Sequence, residues 1–231
     1  MTTILALLAL QTSTTRISKL SPIQPPSYAN RATRQLMERT LRLYDSPKSY
    51  RFDVNSSEGS RSIWFQSGKL RERSARLEWS YDGKNVCLVD MVGKRFYSGP
   101  LKKSKFATAL ESLHYRMDPS LWQLVYRRNP IRAVLDADLR VSKAGSIREN
   151  GVLCHILRAT GPGARIAILA SVQNGFVYRI TSDVVNSKGR TLSTSDRAFS
   201  HVKLGVPMQP ETFQLKKPAG YSAGSLSSLL K

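Results

Sequence analysis

Apolar and polar residues alternate in short runs along most of this chain, and the period lengthens to helical spacing in only a few places. Ala29, Ala32, Leu36, Thr40 and Leu43 recur at helical spacing, with Arg31, Arg34, Glu38 and Arg42 on the other side. This predicts an amphipathic helix over Tyr28–Tyr44. The run Asp45-Ser46-Pro47 ends it. Beyond it, Tyr50, Phe52 and Val54 alternate with Arg51 and Asp53, the pattern of a strand with one apolar face. Ser62–Gln66 reads as a second strand, apolar on both sides at its centre. The turn Ser67–Lys69 leads into LRERSARLEWS, residues 70–80, read as one strand with charge on both sides. Asp82-Gly83 supplies a tight turn. Strands NVCLVD and RFYSG follow, joined by MVGK.

A helical interval comes next. Ser104 suits an N-cap for a helix that carries Phe106, Ala109, Leu110 and Leu113 on one stripe. Asp118-Pro119 starts another, with Leu121, Trp122, Leu124 and Val125 apolar, and Asn129-Pro130 breaks it. IRAVLDADL reads as a third short helical piece. The last third is a meander: GVLCHILRAT, ARIAILAS, GFVYRIT and GRTLSTSDRAFSHV, each bounded by Gly, Asn, Ser or Pro. Strands dominate and helices gather in two places, so the class is α+β with an antiparallel sheet.

Charge changes the picture next. The 231 residues carry 36 Lys+Arg against 16 Asp+Glu, a formal net charge of +20. Such an excess points first to a polyanion, nucleic acid or an anionic membrane surface. The basic residues are spread over almost every segment, however, and no continuous basic arm or nucleic-acid motif is present, so nucleic acid is disfavoured as a partner. At the N-terminus, Ile4–Leu10 is apolar but too short to span a bilayer. It suits the core of a secretory signal, although no Lys or Arg precedes it. Residues 1–27 are read as a signal and Pro-rich linker segment, and a periplasmic or otherwise exported location is the expectation. Cys87 and Cys154 both fall in predicted strands. Two buried free thiols is one reading; export would permit a disulfide between them.

Gly220–Gly224 matches the G-x-S-x-G elbow literally, but Pro218-Ala219 makes a poor strand before Ser222, and no Asp or His follows. His114, His155 and His201 are isolated, and the two cysteines form no CxxC pair. No cofactor and no enzymatic activity are expected. An apolar excess is left over. Trp64, Phe65, Leu88, Val89, Ile166, Ile168, Phe176 and Tyr178 in strands, with Phe106, Leu121 and Trp122 in the helical interval, would fill an ordinary core or line a cavity. Periodicity does not separate a filled core from a hollow one.

The order of motifs resembles one family. A helix ends in a Tyr-rich first strand, SYRFDV. A YDGK turn precedes NVCLVD and a strand with an aromatic pair, RFYSGPL. After the helices come GVLCHIL, NGFVYRIT, a GRT strand and the closing PETFQLKKPAGY. In that order they resemble the LolA/LolB-like periplasmic outer-membrane lipoprotein carrier superfamily, over residues 28–221, with residues 222–231 as a flexible tail. The resemblance implies a strongly curved antiparallel sheet, an incomplete β-barrel, with helices covering its concave face. It implies a non-catalytic protein of the cell envelope that holds a lipid or lipoprotein acyl chain in an apolar cavity, in the manner of a carrier. The alternative on the same fold is a module that senses envelope state or binds an envelope protein. The cavity would be lined by Phe52, Trp64, Leu88, Leu121, Trp122, Ile168, Phe176 and Tyr178. No Arg of the early strands can be matched to the functional Arg of the carriers, and RERSARLEWS lacks the Arg-Pro pattern common in that strand.

Overall fold

The computed structural model describes residues 26–45, 49–57, 59–101, 131, 135 and 138–226. It contains 13 strands and one helix of more than a turn among these residues. In hydrogen-bonding order the strands run β1-β8-β9-β10-β11-β12-β2-β3-β4-β5-β6-β7-β13, a mostly antiparallel sheet that does not close. The helices expected within 104–130, and with them Leu121 and Trp122, lie outside the described residues. So does the signal-like segment Ile4–Leu10.

Contacts divide the chain into two compact units, Met1–Arg42 with Ile131–Arg197, and Leu43–Pro130 with Ala198–Lys231. The first begins with β1 (Ser27–Tyr28), which pairs in parallel with β8 (Arg140–Glu149). Helix α1 (Arg31–Asp45) follows, three residues later than the periodicity predicts, because Tyr28 is drawn into β1. Asn30 caps it, its Oδ1 accepting from the Thr33 amide at 2.8 Å. The buried stripe is Thr33, Met37, Thr40, Leu41 and Tyr44, while Ala32 is exposed. The helix is thus turned from the expected stripe, with Leu36 and Leu43 at its half-buried margin. Its backbone passes close to Gly175, whose φ is +76°, and a Cβ there would lie 3.6 Å from Thr40 Cα. The Arg39 guanidinium donates to the Gln173 carbonyl at 2.7 Å.

Strand β8 is absent from the sequence expectation. It forms a hairpin with β9 (Val152–Thr160) through Asn150-Gly151, both at positive φ (+48° and +79°). This is the type I′ geometry that Asn-Gly favours. Strands β10 (Ala164–Ser171), β11 (Val177–Val185) and β12 (Thr191–Leu204) complete the expected meander. Leu157, Ile168 and Ile180 pair directly across three strands and are all buried. Tyr178 is the extra residue where the register between β10 and β11 shifts.

The second unit holds β2 (Ser49–Ser56), β3 (Gly59–Gln66), β4 (Lys69–Ser74), β5 (Leu77–Tyr81), β6 (Asn85–Asp90) and β7 (Arg95–Pro100), each antiparallel to the next. LRERSARLEWS is not one strand but two. Ser74 breaks it, its Oγ accepting from the amide of Leu77 (3.1 Å) and donating to the Leu77 carbonyl (3.0 Å). Asp82 and Asp90 close the next two turns the same way: Asp82 Oδ1 accepts from Lys84 and Asn85, and Asp90 Oδ1 from Val92 and Gly93. The segment read as a flexible tail is partly ordered, since β13 (Ser222–Ala223) pairs in parallel with Arg95 and Phe96 of β7.

Candidate functional site

Period-two alternation sorts the second unit's side chains into two faces. On one, Tyr50, Phe65, Leu70, Tyr81 and Val86 form a row across β2–β6. Beside it run Phe52, Ile63, Glu72, Trp79 and Leu88. All ten are buried. The Tyr50 ring stacks on Phe65 at 5.0 Å and lies 5.6 Å from Phe52, while Tyr44 meets it edge-on at 6.4 Å. Phe199 of β12 packs edge-on against Phe52 at 5.5 Å. The face thus carries aromatic rings on β2, β3 and β5 and aliphatic side chains on β3, β4 and β6.

One ion pair interrupts it. Glu72 Oε1 accepts from Arg61 Nη1 at 3.0 Å, and Oε2 from the Trp79 indole N–H at 3.0 Å. Their side chains are 5% and 2% exposed for Arg61 and Glu72. Both charges are removed from water, and the Glu72 carboxylate is compensated by Arg61 and by the indole. Sequence reasoning missed this cluster. Its signal was present, because alternation from Leu70 puts Glu72 on the apolar face and a buried indole needs an acceptor.

The opposite face is polar. Arg51, Trp64, Arg71, Ser80, Cys87 and Ser98 form one row across β2–β7. Trp64 is therefore not with Phe52 and Leu88 as a cavity-lining residue. It is half-buried on the other side, with the guanidinium carbons of Arg51 and Arg71 at 5.3 and 4.9 Å from its ring centre. Arg71 also pairs with Glu78 and donates to the Thr212 carbonyl at 3.1 Å. Residues Pro210–Phe213 form a single 3-10 turn, and Phe213 is buried. The PETFQLKKPAGY motif thus contributes an anchor within this unit.

The remaining predicted site residues lie in the first unit. Ile168 and Phe176 are buried, and Tyr178 is half-buried with its ring edge-on to Phe176 at 5.7 Å. Burial, then the nearby Cys154, push the Tyr178 phenol up. Cys87 and Cys154 are both buried free thiols, and the disulfide that export would permit is not formed. Cys87 Sγ lies 3.2 Å from Ser98 Oγ. Burial and then Glu149 push the Cys154 thiol up, which keeps it protonated and unreactive. His155 is half-buried with Nδ1 3.1 Å from Ser146 Oγ, and His201 pairs with Asp53 at 2.8 Å. Among the described residues, no group of three or more His, Cys, Asp or Glu could hold a metal ion. Among them, too, no helix is long and apolar enough to cross a membrane.

No family model matches this chain, and no curated protein matches it. Solved structures do. The Mycobacterium tuberculosis lipoprotein LppX is 11% identical, with a TM-score of 0.49 over 78% of this chain and 99% of that one. LprF from Mycobacterium bovis is 12% identical, with a TM-score of 0.47 over 86% of this chain and 100% of that one. The Pseudomonas aeruginosa MucA/MucB complex gives 18% identity and a TM-score of 0.46, over 80% of this chain and 61% of that one. The likeness concerns the fold alone.

Proposed function

We propose that this protein is a non-catalytic binding protein of the cell envelope that holds a lipid or lipoprotein acyl chain against an apolar sheet face, in the manner of a carrier. The observation that carries the reading is the pair of buried rows across β2–β6. There Tyr50, Phe52, Ile63, Phe65, Leu70, Trp79 and Leu88 form an apolar face broken only at the Arg61–Glu72 pair. The motif order from SYRFDV to PETFQLKKPAGY supports the same reading. On this face Phe52 and Leu88 are the residues offered for contact with the chain; Ile168, Phe176 and Tyr178, of the first unit, are offered from the sequence alone. Trp64 is not among them. Leu121 and Trp122 are carried as proposed lining residues on the strength of the sequence alone.

Native mass spectrometry of the purified protein, with titration of a fluorescent acyl probe, tests this. Co-purified lipid or saturable probe uptake is the expected result. Absence of both would overturn the reading. Stable capture of an envelope protein in place of lipid would shift it to the interaction module.

A further inference from the structure

A bulge in β8 gathers cationic groups on one face of the first unit. Lys143 pairs with Leu157 and Gly145 with Ile156, so Ala144 is an extra residue in the ladder. Gly145 takes φ +129°, a conformation that favours glycine. In an unbroken strand Lys143 and Ser146 would alternate to opposite faces. The bulge puts both on the face of His155 and the buried Leu157. Ser146 Oγ lies 3.1 Å from His155 Nδ1. With the hydroxyl donating there, the neutral ring carries its proton on Nε2, which has no protein partner among the described residues. Helix α1 adds Arg39, whose guanidinium donates to the Gln173 carbonyl at 2.7 Å. The amide of the preceding Val172 donates to the Leu153 carbonyl, which sets Arg39 beside the same stretch of β9. Burial, then Lys143, then Arg39 hold the imidazole below its ordinary value. These two are the charged groups that bear on the ring, and the β10–β11 turn, residues 172–176, carries no titratable side chain. Arg61, Arg71, Arg95 and Arg179 each have a carboxylate partner. Arg39, Lys143 and His155 have none among the described residues. Arg39, Lys143 and Ser146 are exposed, so solutes reach the cluster directly.

We propose that Arg39, Lys143, Ser146 and His155 form a binding site for a phosphoryl dianion, carried by a soluble phosphate or by a lipid headgroup. Positive groups drawn together without a counter-charge repel one another, and a dianion removes that repulsion. The guanidinium, the ammonium and the Nε2–H supply three kinds of donor. A carboxylate offers two oxygens to them, whereas a phosphoryl group offers three, which selects the phosphoryl group. The site lies in the first unit, apart from the β2–β6 face, and does not depend on the acyl-binding reading.

The test titrates the full chain with inorganic phosphate in chloride buffer by calorimetry, and sediments it with phosphatidylcholine vesicles with and without phosphatidic acid. Lys143→Gln and His155→Gln should each weaken binding about 10-fold, as loss of one charge-assisted hydrogen bond allows. Arg158→Gln is the control. It removes one exposed charge from the opposite face of β9, and should leave binding unchanged. In proton NMR, bound phosphate should raise the His155 titration midpoint, because a neighbouring anion favours the imidazolium. Saturable binding of inorganic phosphate would assign the site to soluble phosphates. Binding confined to phosphatidic acid vesicles, with the same order among the variants, would assign it to a headgroup. Absence of both, an equal loss in Arg158→Gln, or a His155 midpoint that phosphate or the vesicles leave unmoved would overturn the proposal.

Discussion

Glu72 sits in a row whose other members are Phe52, Ile63, Trp79 and Leu88, and it is held there by Arg61 and the Trp79 indole. Removing its carboxylate takes the ion pair at 3.0 Å away from the buried Arg61. Glu72→Leu should therefore lose about 3–5 kcal/mol in urea denaturation, and Arg61→Met/Glu72→Leu should recover most of it. Equal losses in the single and double variants would mean that the pair is not what stabilises this position. A second charge cluster gives a pH signature. Hydrogen bonding from Arg179 holds the Asp196 carboxyl below its ordinary value, against the opposing effect of burial, with Thr181 assisting. A lowered carboxyl favours the folded state above its unfolded pKa, and that stability is lost as pH falls through the lowered value. The window lies below about pH 4. Arg179→Gln should flatten the acid limb of a stability–pH curve there; an unchanged limb would remove Arg179 as the cause. Single positions were only partly legible in the sequence. Phe52 and Leu88 fell on the apolar face because alternation in short strands is strict. Trp64 was misplaced because SIWFQ is apolar on both sides at its centre, and only the pairing Phe52↔Ile63 fixes which neighbour faces which way.

At the scale of elements, the strands that alternate cleanly were read correctly and the turns without Gly or Pro were not. The Ser74 break in LRERSARLEWS is made by a hydroxyl on its own backbone, a signal no stronger in sequence than any other serine. Asn150-Gly151 is different: a strong hairpin signal was present, and β8 before it went unread because RVSKAGSIRE carries few apolar residues. Seven of its ten residues are exposed. That hairpin depends on its turn, since Gly151 has φ +79°. Gly151→Val should cost about 1–2 kcal/mol, read as a lower melting temperature. A variant as stable as wild type would mean that the turn relaxes to another type. Helix α1 was found from its period but rotated: Thr40 is buried as expected, yet the stripe also takes in Thr33, which no hydropathy pattern would select, and leaves Ala32 exposed.

The whole molecule carries +20, and charge of that size acts beyond any one contact. Binding of the protein to vesicles of anionic phospholipid, followed by co-sedimentation, should fall steeply as salt rises from about 0.05 to 0.5 M, where the screening length shrinks below the reach of surface charges. Salt-independent binding would show that the apolar face, not the charge, makes the contact.

Strand β12 has a further consequence. Its residues Thr191–Leu204 pass from one compact unit into the other, as the chain also does after Arg42 and after Pro130. Neither unit is a continuous stretch of polypeptide. During synthesis α1 appears early, yet the β10–β11 turn it touches at Gly175 emerges some 130 residues later. The second unit likewise waits for Phe213. Such long-range closure slows folding. Because each unit draws on two separated segments, no single cut of the chain parts the two units from one another, and separately expressed halves should not fold as the intact protein does.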